Sequence, residues 1–280
     1  MSYSLYVINH KTEGDTQEQL DALRKYFNLV DNAKHAEILF LGAFSQTTWG
    51  LRETARFKNK PLIIYCWDYY EWIHKQEIEE WKKYVTLLEK ARLIIVPSEA
   101  QKRALKDLLG LESVVVRSGI KTYEHEISDE GFVLDPLRYY PFPEAKWAEQ
   151  AGEELGIPVI HSEHQYNQEE FRKLVASCSF MTNCVPEAST GGLTLCEGLN
   201  FGKPSLVSDA KYQGASSYLK DFGVYFKYND YEDFKTKFKE MWEKRPKHDL
   251  QKARDYLNTE LSFDLMAKNI CESILQQLGL

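Results

Sequence analysis

The chain has 280 residues, 43% hydrophobic and 28% charged, which excludes a mostly disordered protein and leaves room for two domains of about 120–150 residues. Its net charge of −7 argues against a surface that binds nucleic acid everywhere, but the charge is uneven: +1 over residues 1–120 and −8 over residues 121–280, as though the halves face different partners. The five cysteines contain no Cys-x-x-Cys, no apolar run approaches the roughly 18 residues of a membrane span, and the first ten residues read as neither a signal nor a transit peptide, so a reducing cytoplasm is the expected setting.

Apolar runs alternate with amphipathic segments along the whole chain. SLYVINH reads as a strand, and Thr16-x-x-Gln19 is a capping-box pattern ahead of Leu20, Leu23 and Phe27 at helical spacing. EILFLGAF (strand), Trp49 to Lys58 (helix), PLIIYCW (strand) and a long helix from Glu71 to Ala91 follow. LIIVPS, the helix EAQKRALKDLLG and the strand SVVVRSG complete the first half. Continuous Ile/Val/Leu runs between helices predict a buried parallel sheet.

Residues 121–130 are polar, with little periodicity, and read as a linker. The alternation restarts at GFVLDP: a helix over PEAKWAEQAGEELG, then IPVIHS, NQEEFRKLVASC, FMTNCVP, GGLTLCEGLNFG, KPSLVSD, GASSYLKDFG and VYFKY. Two helices close the chain, the first with Tyr231, Phe234, Phe238 and Trp242 on one face, the second broken near Ser262. The expected fold is α/β, two doubly wound Rossmann-like domains facing a central cleft. The expected boundaries are 1–120, a linker at 121–130, a second domain at 131–262, and a final helix, 263–280, packing back on the first domain. Ligands are expected at the carboxyl ends of the strands.

The chemistry concentrates in PEASTGGLTLCEGLNFGKPSLVSD, Pro186 to Asp209. A strand ends, small residues follow, and Gly191-Gly192 opens a helix, where free amides suit phosphate and small residues admit a ligand to the backbone. Glu197 lies about one and a half turns further on, placed to lean back toward a ribose diol. On spacing alone, a tight strand–helix junction explains the Gly-Gly equally well. His161-x-x-His164 has no third ligand at useful spacing and is better read as a loop than as a metal pair, and no Asp-x-Asp occurs.

SCSFMTNCVPEASTGGLTLCEGLNFGKPSLVSDAKYQGASSYLKDFGVYF resembles the donor half of the retaining GT-B glycosyltransferases of glycosyltransferase family 4 (glycosyl transferases group 1), with their P-S-x-x-E-x-F-G-L-x-x-L-E-A and G-x-P-V-I-x-S-D segments. VPSEAQKRAL and VVVRSGIK are similar to that family's helix start and domain link. The short chain, with its Trp67-Asp68-Tyr69-Tyr70 stretch, looks like family members met in phage genomes. The resemblance implies a metal-independent enzyme that transfers a sugar from a UDP- or GDP-sugar donor and needs no other cofactor. It implies a donor site at Gly14, Thr190, Gly191, Gly192, Leu193, Thr194 and Glu197. Arg138 and Lys146 stand for the family's diphosphate-binding basic pair, and Asp68 for its polar contact at the third strand. The family's glutamates are separated by seven intervening residues; here that position is Ser189, with Glu187 the nearby acid, and either fills the role. The Asn-Gly-Ile-Asp link is Ser118-Gly119-Ile120-Lys121, without its acid.

The acceptor belongs to the first half. Arg52, Arg56, Lys58 and Lys60 form a basic cluster, and Trp67 and Tyr69 offer stacking surfaces. The expected acceptor is a 5-hydroxymethylpyrimidine in DNA, as in phage-type DNA modification. A glycan or lipid-linked acceptor, and a non-catalytic two-domain protein that binds nucleotide sugars, are the alternatives.

Overall fold

In a computed structural model of the protein, residues 3–8, 16–42, 47–66, 78–136, 142–161, 167–185 and 191–279 are described. The chain divides into two compact units, residues 1–119 with 261–280, and residues 120–260.

The first unit runs β1 (Ser4–Val7), α1 (Thr16–Leu23), β2 (Asn28–Leu29), β3 (Ile38–Leu41), α2 (Thr47–Arg56), β4 (Leu62–Tyr65), α3 (Ile78–Lys90), β5 (Leu93–Val96), α4 (Glu99–Leu109) and β6 (Val114–Val115). All pairings are parallel, in the order β2-β1-β3-β4-β5-β6, with Leu39 opposite Leu62 and Ile63 opposite Leu93. Every residue of β3, β4 and β5 is buried, which is why these strands read as unbroken apolar runs. Ser98 caps α4 by accepting the Gln101 amide at 3.1 Å, and Gly110 ends it at φ 68°. The two-residue strand β2 and the 3-10 turn Ala33–His35 carry too short a pattern to be read from sequence. The helix expected over Trp49–Lys58 runs from Thr47 to Arg56, and the start expected at Glu71 for α3 lies outside the described residues.

The chain's last helix, Phe263–Leu278, also belongs to this unit. Its Met266, Ile270 and Ile274 share a core with Leu5, Phe40, Tyr65 and Ile95. Gly119 permits this: a Cβ there would lie 2.6 Å from the Phe263 Cα. Ser262 caps the helix by accepting the Leu265 amide at 3.1 Å.

The second unit runs β7 (Val133–Asp135), α5 (Trp147–Leu155), β8 (Val159–His161), α6 (Gln168–Ser177), β9 (Phe180–Asn183), α7 (Gly191–Glu197), β10 (Ser205–Ser208), α8 (Ala215–Leu219), β11 (Gly223–Phe226), α9 (Tyr231–Lys244) and α10 (Leu250–Glu260); the last helix is then α11. The parallel sheet is ordered β11-β10-β9-β7-β8. The chain enters at β7, adds β8 on one side and crosses back to β9 on the other, so the order reverses between β7 and β9. Trp147, Phe180, Phe226, Phe234 and Phe238 fill the core on the α5–α9 face, with ring centroids 5.0 Å apart for Phe226–Phe234.

Residues 121–130 form no helix or strand but are not loose. The Ser128 and Glu130 amides donate to Ala176 and Ser177 carbonyls at 3.2 and 2.9 Å. The buried Lys203 ammonium donates to the Ser128 and Cys178 carbonyls, both at 2.6 Å.

Candidate functional site

Open parallel sheets bind ligands at the carboxyl ends of their strands, at the point where strand order reverses. In the second unit that point is flanked by Asp135, the last residue of β7, and Asn183, the last of β9. The Asp135 side chain is 4% exposed, and its Oδ2 lies 3.2 Å from Nδ1 of His161 at the end of β8. Asn183 is fully buried, and its Oδ1 accepts the Val185 amide at 3.0 Å, turning the chain off the strand. Its Nδ2 has no hydrogen-bond partner among the described residues. Burial, reinforced by the Asp135 charge, pushes the Cys184 thiol well above its ordinary pKa, so it is a packing group and not a nucleophile.

The next element, α7, begins at Gly191-Gly192 and is seated directly on the sheet. Leu195 and Cys196 are fully buried. Just past the helix, a Cβ on Gly198 would stand 2.8 Å from the Met181 Sδ of β9. Leu193, Thr194 and Glu197 are half-buried. The Glu197 carboxylate accepts a hydrogen bond from the Tyr123 hydroxyl. Tyr123 is held on several sides: the Arg172 guanidinium lies 4.1 Å from its ring centroid, Phe201 packs at 5.9 Å, and its amide donates to Asn200 Oδ1 at 3.3 Å. Burial, the Glu197 charge and the hydrogen bond to Glu197 all raise the phenol pKa, so Tyr123 stays a donor across the neutral range.

Of the other residues singled out from sequence, Gly14, Trp67, Asp68, Tyr69, Arg138, Glu187, Ser189 and Thr190 lie outside the described residues, as does His164. Lys146 is exposed at the end of a 3-10 turn, Pro143–Lys146, one residue before α5. The basic cluster of the first unit is smaller than its sequence suggests. Lys60 turns inward and donates to the carbonyls of Ala33 and Lys34, at 2.7 and 2.9 Å, and of Ala36. Arg56 lies 3.6 Å from Glu53, and the Arg52 guanidinium sits 5.3 Å from the ring centroid of Trp49, itself 44% exposed. Among the described residues no three His, Cys, Asp or Glu side chains are grouped to hold a metal, and no helix is long and apolar enough to cross a membrane.

Sequence reasoning missed Tyr123, Arg172 and Asp135. The signals were slight: one aromatic residue in a patternless polar stretch, and one acid ending an apolar strand. Neither points to a partner tens of residues away.

No family model and no curated protein matches the sequence. Solved structures do match. HepE from Anabaena, in complex with UDP and glucose, is similar over 98% of this chain and 100% of its own, at 13% identity and a TM-score of 0.68. Sucrose-phosphate synthase from Thermosynechococcus elongatus is similar over 88% of this chain and 75% of its own, at 11% identity and a TM-score of 0.63. TarM is similar over 87% of this chain, which spans about half of TarM (55%), at 14% identity and a TM-score of 0.64. At such identities the likeness is one of fold, and together with the two doubly wound parallel sheets it gives this chain the GT-B fold of glycosyltransferases.

Proposed function

We propose that the protein is a retaining, metal-independent glycosyltransferase that moves a sugar from a UDP- or GDP-sugar to an acceptor hydroxyl. The observation that carries this reading is the placement of Glu197. It is a half-buried carboxylate already engaged by a hydroxyl donor, on the helix that follows β9 beside the reversal point of the sheet. A vicinal diol is a pair of such donors, so the position suits a ribose. Further support comes from HepE, which shares the fold over nearly the whole chain and whose structures hold UDP and UDP-glucose.

In this reading the diphosphate lies at the Gly191 and Gly192 amides with Arg138 and Lys146, and Thr190, Leu193, Thr194 and Gly14 complete the donor contacts. Negative charge grows on the leaving diphosphate as the sugar bond breaks, so preorganised amides and cations there lower the barrier. The acceptor hydroxyl attacks from the leaving-group face and passes its proton to the departing phosphate. Glu187 or Ser189 contacts the sugar, and Asp68 is the polar contact to sugar or acceptor.

For the acceptor we propose a 5-hydroxymethylpyrimidine in DNA. Arg52, Arg56 and Lys58 would contact phosphates, with Trp67 and Tyr69 against the extruded base. The exposed Trp49–Arg52 pair supports this; the inward turn of Lys60 removes one cation from the proposed surface. The test is a panel of UDP-, GDP-, ADP- and TDP-sugars. It is assayed over a salt series on hydroxymethylcytosine and hydroxymethyluracil DNA beside glycan and lipid acceptors, with and without EDTA. Transfer to DNA that weakens with salt and survives chelation is expected. Transfer only to a glycan or lipid removes the DNA assignment. Loss in EDTA that Mn²⁺ restores removes metal independence. Nucleotide-sugar binding without turnover on any acceptor makes the protein a binding module.

A further inference from the structure

Tyr123 comes from a segment with no regular structure, yet it is among the most tightly held side chains near α7. Its hydroxyl donates to Glu197. Asn200, fully buried in the 3-10 turn Gly198–Phe201 that continues α7, grips the backbone leading into it: Oδ1 accepts the Tyr123 amide at 3.3 Å, and Nδ2 donates to the Lys121 carbonyl at 3.2 Å. Asn200 is itself fixed by Arg254, whose Nε donates to its carbonyl at 3.2 Å. One continuous turn of chain, 197–201, therefore carries both the carboxylate and the residue that anchors its hydroxyl donor. Arg172 of α6 lies over the ring, its guanidinium 4.1 Å from the centroid, and its hydrogen bond and charge act on the phenol as well.

This arrangement solves a particular problem. A glutamate has three side-chain torsions, and a half-buried one that must meet a diol loses affinity to every rotamer that points elsewhere. A phenol hydrogen bond to one carboxylate oxygen restricts those rotamers. A carboxylate accepts about four hydrogen bonds, so Tyr123 and a diol are compatible on the same group.

We propose that Tyr123 is the positioning residue of the nucleotide site: it holds Glu197 in the orientation that reads the ribose hydroxyls, with Arg172 and Asn200 holding Tyr123. This rests on the donor-site reading given above, in which Glu197 is the ribose contact. Tyr123 acts on affinity for the ribose and not on the sugar-transfer step itself.

The experiment is calorimetric titration of the full chain with UDP and GDP and with their 2′,3′-dideoxy counterparts, comparing wild type, Tyr123→Phe, Glu197→Ala and the double variant. Tyr123→Phe removes one oxygen and keeps the ring that packs on Arg172 and Phe201; a melting curve checks that it folds as wild type does. Arg172→Met is the second probe, removing the guanidinium that lies over the ring and acts on its hydroxyl. The expected result is that wild type prefers the ribonucleotide, and that Glu197→Ala abolishes the preference. Tyr123→Phe should weaken ribonucleotide binding about 3–10-fold without changing dideoxynucleotide binding, and should add nothing in the Glu197→Ala background. Arg172→Met should move the preference in the same direction. If Glu197→Ala abolishes the preference and Tyr123→Phe leaves it at the wild-type value, the positioning role is overturned and the ribose reading stands. Equal weakening of both nucleotides by Tyr123→Phe also overturns it, since that is the mark of a purely structural residue. If neither UDP nor GDP binds, or Glu197→Ala leaves the preference intact, both the ribose reading and the inference fall.

Discussion

Lys203 is 4% exposed, yet its ammonium is the pin between the segment 121–130 and the sheet of the second unit. It stands between Gly202, left-handed at φ 65°, and Pro204, and its Nζ donates to the Ser128 and Cys178 carbonyls at 2.6 Å each. Lys203→Met keeps the apolar stem and removes both bonds. Hydrogen bonds to charged groups contribute about 1.5–3 kcal/mol each, and the relief of burying an ammonium offsets part of the loss. The net cost is about 2–4 kcal/mol, a fall of roughly 5–10 °C in the melting temperature of a unit of this size. Burial holds the Lys203 pKa below its ordinary value. Between the folded and unfolded pKa values the unfolded chain binds more protons, so wild-type stability gains with rising pH in that alkaline window. The variant lacks this gain, and the gap between the two proteins widens there. Calorimetric melting at pH 7 and toward pH 10, with hydrogen exchange at the Ser128 and Glu130 amides, measures both effects. A melting shift under about 2 °C with unchanged exchange at those amides would refute the argument.

Three further outcomes follow from local geometry. Gly119→Ala drives a Cβ to within 2.6 Å of the Phe263 backbone and should cost about 3 kcal/mol, loosening α11; limited proteolysis within 261–280 should rise sharply. Asp129 accepts from the Ser179 hydroxyl at 2.7 Å and pairs with Arg245 at 3.0 Å. Burial alone would raise its pKa, but the Ser179 and Gly131 hydrogen bonds and the Arg245 and Lys203 charges outweigh it and hold the carboxyl below its usual value. Its stabilisation is therefore present above about pH 4 and is lost as the pH falls through the folded-state pKa. Asp129→Asn should cost about 1 kcal/mol at pH 7, and its deficit relative to wild type should close in acid melts. Lys60→Met takes a donor from three carbonyls, of which Ala33 keeps the Ala36 amide at 3.3 Å, and should lower stability by about 1–3 kcal/mol, while leaving the salt dependence of any DNA binding unchanged; a shallower salt slope would return Lys60 to the binding surface.

Sequence alone determined what depends on neighbours along the chain. The unbroken apolar runs of β3, β4 and β5 announce strands buried on both faces, because a parallel sheet covered by helices leaves no polar side. The restart at Gly131, the Gly-Gly entry to α7 and the break at Ser262 are equally local, each set by a glycine or a capping hydroxyl acting within four residues. What joins distant segments was decided only by the tertiary structure. Tyr123 meets Glu197 across 74 residues, Asp135 meets His161 across a sheet register, and Lys60 folds in on carbonyls 24 to 27 residues earlier. Residues 121–130 read as a linker because they have no periodicity, and they are fixed all the same, by side chains of α6, α7 and the turn that follows it. Periodicity records which face of an element is apolar; it carries nothing about which polar atom a hydroxyl, an ammonium or an imidazole will find once those faces have packed. For that reason the helix bearing Glu197 was legible in the sequence, and the hydroxyl that holds its carboxylate was not.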